Sequence, residues 1–184
     1  MFSKDQFVQD CLSAADEGQA AIREIVTAAV AEPAAIVADL GEPTQAGIDT
    51  LYRGPKLTII NFTWAPHMTL MPHNHQMYAV IGIYSGREDN MFWKRNPVSI
   101  EAAGAKTLGQ GDVATLGRNI IHSVINPIGK MTTAIHVYGG DFFEPEEPRS
   151  EWDHETLEEM PWDVENVRRQ FREAEERYNA VHHN

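Results

Sequence analysis

Two histidines separated by one residue are the most chemically suggestive feature of the sequence. They are His73 and His75, in Pro72-His73-Asn74-His75. Side chains two apart on a β-strand point the same way, so both imidazoles can reach one point. A third histidine, His122, follows in a second apolar segment, and imidazole is the commonest protein ligand for metals. We predict a metal site formed by these three histidines; the alternative is two solvated loop histidines and one in a core strand.

Glycines and an asparagine recur at fixed distances around these histidines. Gly86 lies eleven residues after His75, Gly111 lies eleven before His122, and Asn126 lies four after His122. Glycine serves tight turns that need a positive φ or a close approach of backbones. The two half-motifs, over about residues 65–126, resemble the two-part signature of the cupin superfamily. The resemblance implies a mainly β fold, the double-stranded β-helix or jelly-roll barrel.

Two positions depart from that signature. Ala79 stands where cupins usually have a glutamate ligand, and Gly117 replaces a proline that usually precedes the second histidine. Alanine cannot bind a metal, so three neutral imidazoles remain. Closed structural zinc sites usually have four protein ligands. Three ligands leave coordination positions open, which favours catalysis, and imidazole suits Fe, Cu, Ni and Zn alike.

The missing glutamate and the late segment Ile135-His136-Val137-Tyr138 together resemble the thiol dioxygenases, the group that includes cysteine dioxygenase and 3-mercaptopropionate dioxygenase. This resemblance implies Fe²⁺ as the cofactor, with Ni, Zn or Mn as other possible metals. It implies O₂ and a small thiol as substrates and a sulfinate as the product. It also assigns catalytic roles to Tyr138, which would hydrogen-bond the reacting oxygen or sulfur, and to His136, which would hold Tyr138. The alternative for these two residues is a buried polar pair packed for stability.

The chain differs from that family at two further positions. Ala134 occupies the place of a serine that orients the histidine, although Thr132 or Thr133 could serve if the register differs. Val80 occupies the place of the cysteine that is crosslinked to tyrosine in the animal enzymes. We therefore expect no crosslink on Tyr138.

Arg53 is the predicted substrate-binding residue. Members of the family hold the substrate carboxylate with an arginine or a glutamine before the first motif, and Arg53 is the nearest candidate. A guanidinium can bind a carboxylate through two parallel hydrogen bonds. Arg53 can equally be a surface residue, and Arg87 and Arg118 are weaker candidates.

Other functions fit the same ligands. A three-histidine cupin can be a dioxygenase that cleaves carbon–carbon bonds in diketones. It can also be a non-catalytic protein that binds a metal or a small ligand. The leading prediction is an iron-dependent thiol dioxygenase.

Composition limits the partners. The 184 residues include 15 Lys+Arg and 27 Asp+Glu, for a net charge of −12, which disfavours nucleic acids and anionic membranes as partners. The one cysteine, Cys11, rules out an internal disulfide and is typical of a reducing compartment. Without a signal-peptide pattern at the start, we predict a cytoplasmic monomer or homodimer.

Hydrophobic periodicity divides one predicted domain into three segments. Residues 1–41 have helical spacing with Gly18 as a joint, residues 42–143 have short β-runs of a barrel, and residues 144–184 have a tail and a last helix from Pro161. The segment Asn126–Lys130 has the residues of a hairpin turn. The predicted strands are 57–64, 68–75, 77–84, 90–94, 112–116, 122–125 and 132–138.

Overall fold

A computed structural model describes residues 2–182 of the chain. The described part contains the helices α1 (Lys4–Ala14), α2 (Gln19–Val30), α3 (Pro33–Leu40) and α4 (Val164–His182), with a short 3₁₀ helix at Ala15–Glu17. Its strands are β1 (Gly47–Arg53), β2 (Thr58–Trp64), β3 (Thr69–Asn74), β4 (Ala79–Ser85), β5 (Arg87–Arg95), β6 (Ile100–Gly109), β7 (Val113–Leu116), β8 (Ile121–Ile125), β9 (Thr132–Tyr138), β10 (Ser150–Trp152) and β11 (Glu159–Pro161).

The strands form two antiparallel sheets that face each other. The first sheet has the order β1-β2-β9-β4-β7 and the second has the order β11-β10-β3-β8-β5-β6. Strands that are adjacent in sequence often lie in different sheets, as β4 and β5 do, so the chain winds around a common interior. The predicted fold class, a mainly β jelly roll with helices before and after the barrel, is confirmed.

The three N-terminal helices cover the outer face of the first sheet. Ser3 caps α1 by accepting a hydrogen bond from the backbone N–H of Gln6 at 3.5 Å, as its residue type favours. Apolar side chains of α1 and α2 are buried against the outward-facing residues of β4 and β9: Phe7, Cys11, Ile22 and Val26 cluster with Val80, Ile135 and Val137. This layer leaves the inner face of the same sheet to form the barrel interior.

The C-terminal helix closes the barrel. Val167, Phe171 and Ala174 on one face of α4 are buried and join the interior cluster. Phe171 packs against two aromatic residues of β2, with ring centroids 6.0 Å from Phe62 and 5.0 Å from Trp64. The amphipathic pattern of α4 therefore predicts its burial correctly.

Two glycines of the half-motifs lie at turns that require them. Gly86 and Gly111 have φ angles of 82° and 87°, a region in which side chains other than glycine are strained. At Gly86 the chain crosses from the first sheet to the second, and an added Cβ would lie 2.8 Å from the Thr132 Cα. This turn brings β5 into the second sheet.

The predicted hairpin at Asn126–Lys130 is wrong. The segment connects β8 to β9, but β8 pairs with β3 and β5 whereas β9 pairs with β2 and β4. The turn therefore crosses between sheets. Asn126 organises it: its amide donates to the carbonyls of Trp64, Ala65 and Lys130 at 2.9–3.2 Å.

Four strands lie outside the sequence prediction, namely β1, β6, β10 and β11. Most residues of β6 are exposed, so no alternating apolar pattern marks it. No helix in the described residues combines the length and the apolarity that crossing a membrane requires.

Candidate metal centre

Strands of the second sheet bring the three predicted ligands together. His73 on β3 pairs directly with His122 on β8, so their side chains lie on the same face. His75 follows two residues after His73, at the end of the strand. All three are buried, and one ring nitrogen from each lies within 4.8 Å of the others. The cluster therefore brings together the two histidines of the period-2 argument and His122.

Hydrogen bonds fix which ring nitrogen faces that point. The Nδ1 of His73 donates to the carbonyl of Met71 at 2.9 Å, and the Nδ1 of His122 donates to the side-chain oxygen of Asn90 at 2.7 Å. Each ring therefore turns its unprotonated Nε2 inwards. The Nε2 atoms of His75 and His122 are 3.4 Å apart.

The three imidazoles are held neutral. Burial lowers the pKa of His73 to about 3 and lowers the pKa of His75 and His122 well below the usual value, and the nearby positive charge of Arg149 acts in the same direction. Neutral imidazole is the form that binds a metal. Three converging neutral nitrogens, oriented by outer hydrogen bonds, fit a divalent transition metal.

Tyr138 lies beside this cluster. It pairs with Ala79 in neighbouring strands of the first sheet, so both face the interior. The Tyr138 ring is 5.0 Å from the His75 ring, and its hydroxyl is 3.0 Å from the Nδ1 of His136. Burial raises the pKa of Tyr138, so it is a protonated phenol.

Comparison with known proteins finds several similar solved structures at low sequence identity. No family model matches the sequence. The structure is similar to an RmlC-like cupin family protein from Methanocaldococcus jannaschii (10% identity, 55% of this chain and 85% of that chain, TM-score 0.46). It is also similar to a protein from Bacillus halodurans (13%, 57% and 75%, TM-score 0.48) and to oxalate decarboxylase from Bacillus subtilis (15%, 52% and 23%, TM-score 0.41).

The two facing antiparallel sheets, with helices before and after them, form a jelly roll. One of the similar structures is described as an RmlC-like cupin family protein with a double-stranded β-helix fold. The barrel of this chain carries a buried three-histidine cluster where a metal can bind.

The cavity at the three histidines is nearly closed. Its volume of about 10 Å³ holds about one water molecule. Apolar and aromatic side chains line most of it: Phe62, Trp64, Leu70, Val124, Phe142, Trp162 and Val167. The polar groups in its wall are the imidazoles of His73, His122 and His136 and the hydroxyl of Tyr138. Any larger ligand has to displace part of this lining.

Neither threonine of β9 orients His136. The hydroxyl of Thr132 lies within hydrogen-bond distance of two acceptors, the carbonyl of Arg87 at 3.0 Å and the Asn126 side-chain oxygen at 3.1 Å. Thr133 lies on the opposite face of β9 because side chains alternate along a strand. Ala134 shares the inner face with His136 but has no hydroxyl.

The structure does not bring Arg53 to the histidines. It lies in an open cleft of about 470 Å³, which Arg118 also lines. Its Nε is 2.9 Å from an Asp141 oxygen, and its Nη2 is 3.2 Å from a Glu144 oxygen. Two carboxylates of the protein already occupy the guanidinium that was predicted to hold the substrate. Arg87 is likewise paired, with Asp89 at 2.8 Å.

A different arginine, which sequence reasoning missed, lies next to the cavity. Arg149 is 4% exposed, and its guanidinium carbon lies 4.4 Å from the Phe142 ring and 3.8 Å from the Trp162 ring, as cation–π contacts. Those two rings belong to the cavity wall, and Trp162 is 5.4 Å from the His73 ring. Arg149 lies outside both half-motifs, in an acidic, proline-containing segment, so no spacing marked it.

The guanidinium of Arg149 is only partly satisfied. Its Nε donates to the carbonyl of Asn74 and its Nη1 to that of Phe142, both at 2.9 Å. Its Nη2 and the indole N–H of Trp162 are buried and have no acceptor among residues 2–182. Burial lowers the pKa of Arg149 to about 9. An unpaired guanidinium donor next to the cavity is suited to an anionic ligand.

Proposed function

We propose that this protein is a mononuclear iron-dependent dioxygenase of the cysteine dioxygenase type, which converts a small thiol to a sulfinate with O₂. Both atoms of O₂ enter the product, so R–SH and O₂ give R–SO₂H without another reductant. The proposal rests mainly on one arrangement. Three neutral imidazoles converge without a carboxylate ligand, and the phenol of Tyr138 lies beside them, on the residue that pairs with Ala79.

His73, His75 and His122 would hold the metal. When bound, iron would supply sites for the thiolate and O₂ together with the redox chemistry that joins them. Binding both reactants within one cavity converts an encounter into a local step. The hydroxyl of Tyr138 lies on the same wall, where its oxygen can accept a hydrogen bond from the S–H of the thiol, and His136 holds that hydroxyl at 3.0 Å.

The aromatic lining would keep water out of the reaction. Phe62, Phe142 and Trp162 cover the histidines on the side of the tail and α4. Exclusion of water strengthens each hydrogen bond within the cavity. Because the cavity is nearly closed, substrate entry would require the segment that carries Phe142 and Trp162 to move.

We further propose that the substrate carries a carboxylate, which Arg149 binds. The Nη2 of Arg149 is a buried donor without an acceptor in the described chain, and its charge is close enough to depress the pKa of all three histidines. A carboxylate at this position would satisfy the donor and pair the buried charge. Arg149 therefore replaces Arg53 as the proposed substrate-binding residue.

Oxygen uptake by the iron-loaded protein tests the proposal. The panel contains a short mercaptocarboxylate, its methyl ester, an aminothiol and a diketone. We expect uptake with the mercaptocarboxylate, incorporation of two ¹⁸O atoms from ¹⁸O₂ into the sulfinate, and none above background in the metal-free protein or in His122→Ala. Oxygen uptake with the diketone alone would indicate a dioxygenase that cleaves carbon–carbon bonds and not a thiol dioxygenase. Binding without uptake would indicate a non-catalytic cupin.

A further inference from the structure

A buried carboxylate lies opposite His136, across the barrel interior. Glu88, on β5, is fully buried, and its Oε2 lies 3.5 Å from the Nε2 of His136. The two residues come from different sheets, so this contact spans the barrel interior. Neither atom has another hydrogen-bond partner in the described part of the chain. Two buried polar atoms that face only each other are complementary when one donates and the other accepts.

The other oxygen of Glu88 leads to a metal-ligand histidine. Its Oε1 accepts from the side-chain amide of Asn90 at 2.9 Å, and the amide oxygen of Asn90 accepts from the Nδ1 of His122 at 2.7 Å. The orientation of the Asn90 amide follows from its neighbours, since the carboxylate side requires a donor. The chain of contacts therefore runs His122, Asn90, Glu88, His136 and Tyr138.

We propose that Glu88 is a positioning residue that fixes the tautomers of two histidines at once. As an acceptor at both oxygens, it holds the proton of His136 on Nε2 and, through Asn90, the proton of His122 on Nδ1. His122 then presents Nε2 to the metal site. His136 presents an unprotonated Nδ1 to Tyr138, so the phenol donates to His136 and turns its oxygen lone pairs to the cavity.

The position of Glu88 explains how His136 can be oriented although residue 134 is an alanine. Ala134 removes the hydroxyl that would orient His136 from its own strand. Glu88 orients the same ring from the facing sheet, and it can do so because β5 alternates: Glu88 and Asn90 point inwards while Asp89 between them points out to Arg87. Outer hydrogen-bond partners of this kind typically change metal affinity or activity by about 10- to 100-fold when they are removed.

Replacement of the carboxylate by an amide distinguishes this role from simple packing. Glu88→Gln has nearly the same shape but cannot accept at both ends. If its oxygen faces Asn90, its NH₂ faces His136 and drives that proton from Nε2 to Nδ1. If the amide is inverted, Asn90 must invert as well, and the tautomer of His122 changes instead. A matched control is Asp89→Asn, which removes one carboxylate from the outer face of the same strand.

Long-range ¹⁵N–¹H NMR of the metal-free, ¹⁵N-histidine-labelled full chain reads these tautomers directly. In the parent protein we expect Nε2–H for His136 and Nδ1–H for His122. Glu88→Gln should switch one of the two, and Asp89→Asn neither. An Nδ1–H tautomer of His136 in the parent overturns the proposal, and so does a Glu88→Gln spectrum with both tautomers retained. The parent spectrum decides the question even where Glu88→Gln does not fold.

A kinetic consequence rests on the proposed function. With the mercaptocarboxylate, kcat of Glu88→Gln should fall about 10- to 100-fold at an unchanged KM, because Glu88 is remote from the substrate anion site. The two proposals can fail separately. If the tautomers are as expected but the parent protein takes up no oxygen, the positioning role of Glu88 stands and the dioxygenase proposal is overturned.

Discussion

The guanidinium carbon of Arg149 lies 3.8 Å from the ring centroid of Trp162. One residue precedes β10 and the other follows β11, so this contact joins the two ends of a small C-terminal β-unit at the wall of the cavity. Because Trp162 also contacts His73 and Phe142, the pair links the C-terminal segment to the histidine cluster.

Removal of Arg149 should weaken binding of an anionic substrate selectively. For Arg149→Met we expect KM for the mercaptocarboxylate to rise about 10- to 100-fold, since a charge-assisted hydrogen bond is worth about 1.5–3 kcal/mol. KM for the methyl ester should change little. Arg53→Met is the matched control, because that side chain is exposed and paired with Asp141. A larger effect at Arg53 than at Arg149 would restore the original assignment.

Loss of one imidazole should remove most of the metal. In His122→Ala the cluster keeps two of its three nitrogens, so we expect one metal per chain in the parent and little in the variant after dialysis. Elemental analysis measures both. His154→Ala, a surface histidine, should retain the parent value. Full occupancy in His122→Ala would contradict the ligand assignment.

Tyr138→Phe should separate chemistry from metal binding. The phenol lies outside the three-imidazole set, so fold and iron content should be unchanged. Turnover should fall by about two orders of magnitude, the low end for a positioned proton-handling group. Tyr84→Phe serves as the control, since that buried hydroxyl bonds to Asn61 at 2.9 Å on the helical side of the sheet. If the Tyr138 variant loses iron or keeps full activity, Tyr138 is a packing residue.

Cys11 should be unreactive and uncrosslinked in the folded protein. It is fully buried between the helices and the first sheet, while Tyr138 lies on the inner face, and intact mass should equal the sequence mass apart from any loss of Met1. We expect no reaction with a thiol reagent at pH 8 until the protein is denatured. Rapid labelling of the native chain, or a peptide map joining Cys11 to Tyr138, would refute this placement.

Burial of the Cys11 thiol should make the protein less stable at alkaline pH. Burial raises the pKa of Cys11 from 9.0 to about 12. The thiol ionises above pH 9 in the unfolded chain but stays protonated in the folded one. Its contribution to the free energy of unfolding is therefore complete below pH 9 and is lost as pH rises towards 12. The slope is about 1.4 kcal/mol per pH unit. Urea unfolding at several pH values should show this slope in the parent and its absence in Cys11→Ala.

The histidine cluster was predictable because its signals are local. Two ligands share a strand face by period-2 alternation, and the turn glycines have the positive φ that their spacing implied. Amphipathic periodicity likewise predicted the N-terminal helices and α4. The strand β6 carried no such signal because it lies at a sheet edge with little burial, and the hairpin prediction failed because turn chemistry does not specify which sheet the next strand joins.

The sequence by itself therefore determined the fold class, the three imidazoles and the tyrosine beside them. Only the tertiary structure decided which charged groups enter the interior. Glu88 and Arg149 look like surface residues in sequence, because ionisable side chains are rarely buried and no local pattern marks the exceptions. Their burial depends on partners far along the chain: His136 for Glu88, and Asn74, Phe142 and Trp162 for Arg149. A charge is tolerated inside only where distant elements supply its hydrogen bonds, and that supply exists only once the two sheets and the C-terminal segment have packed together.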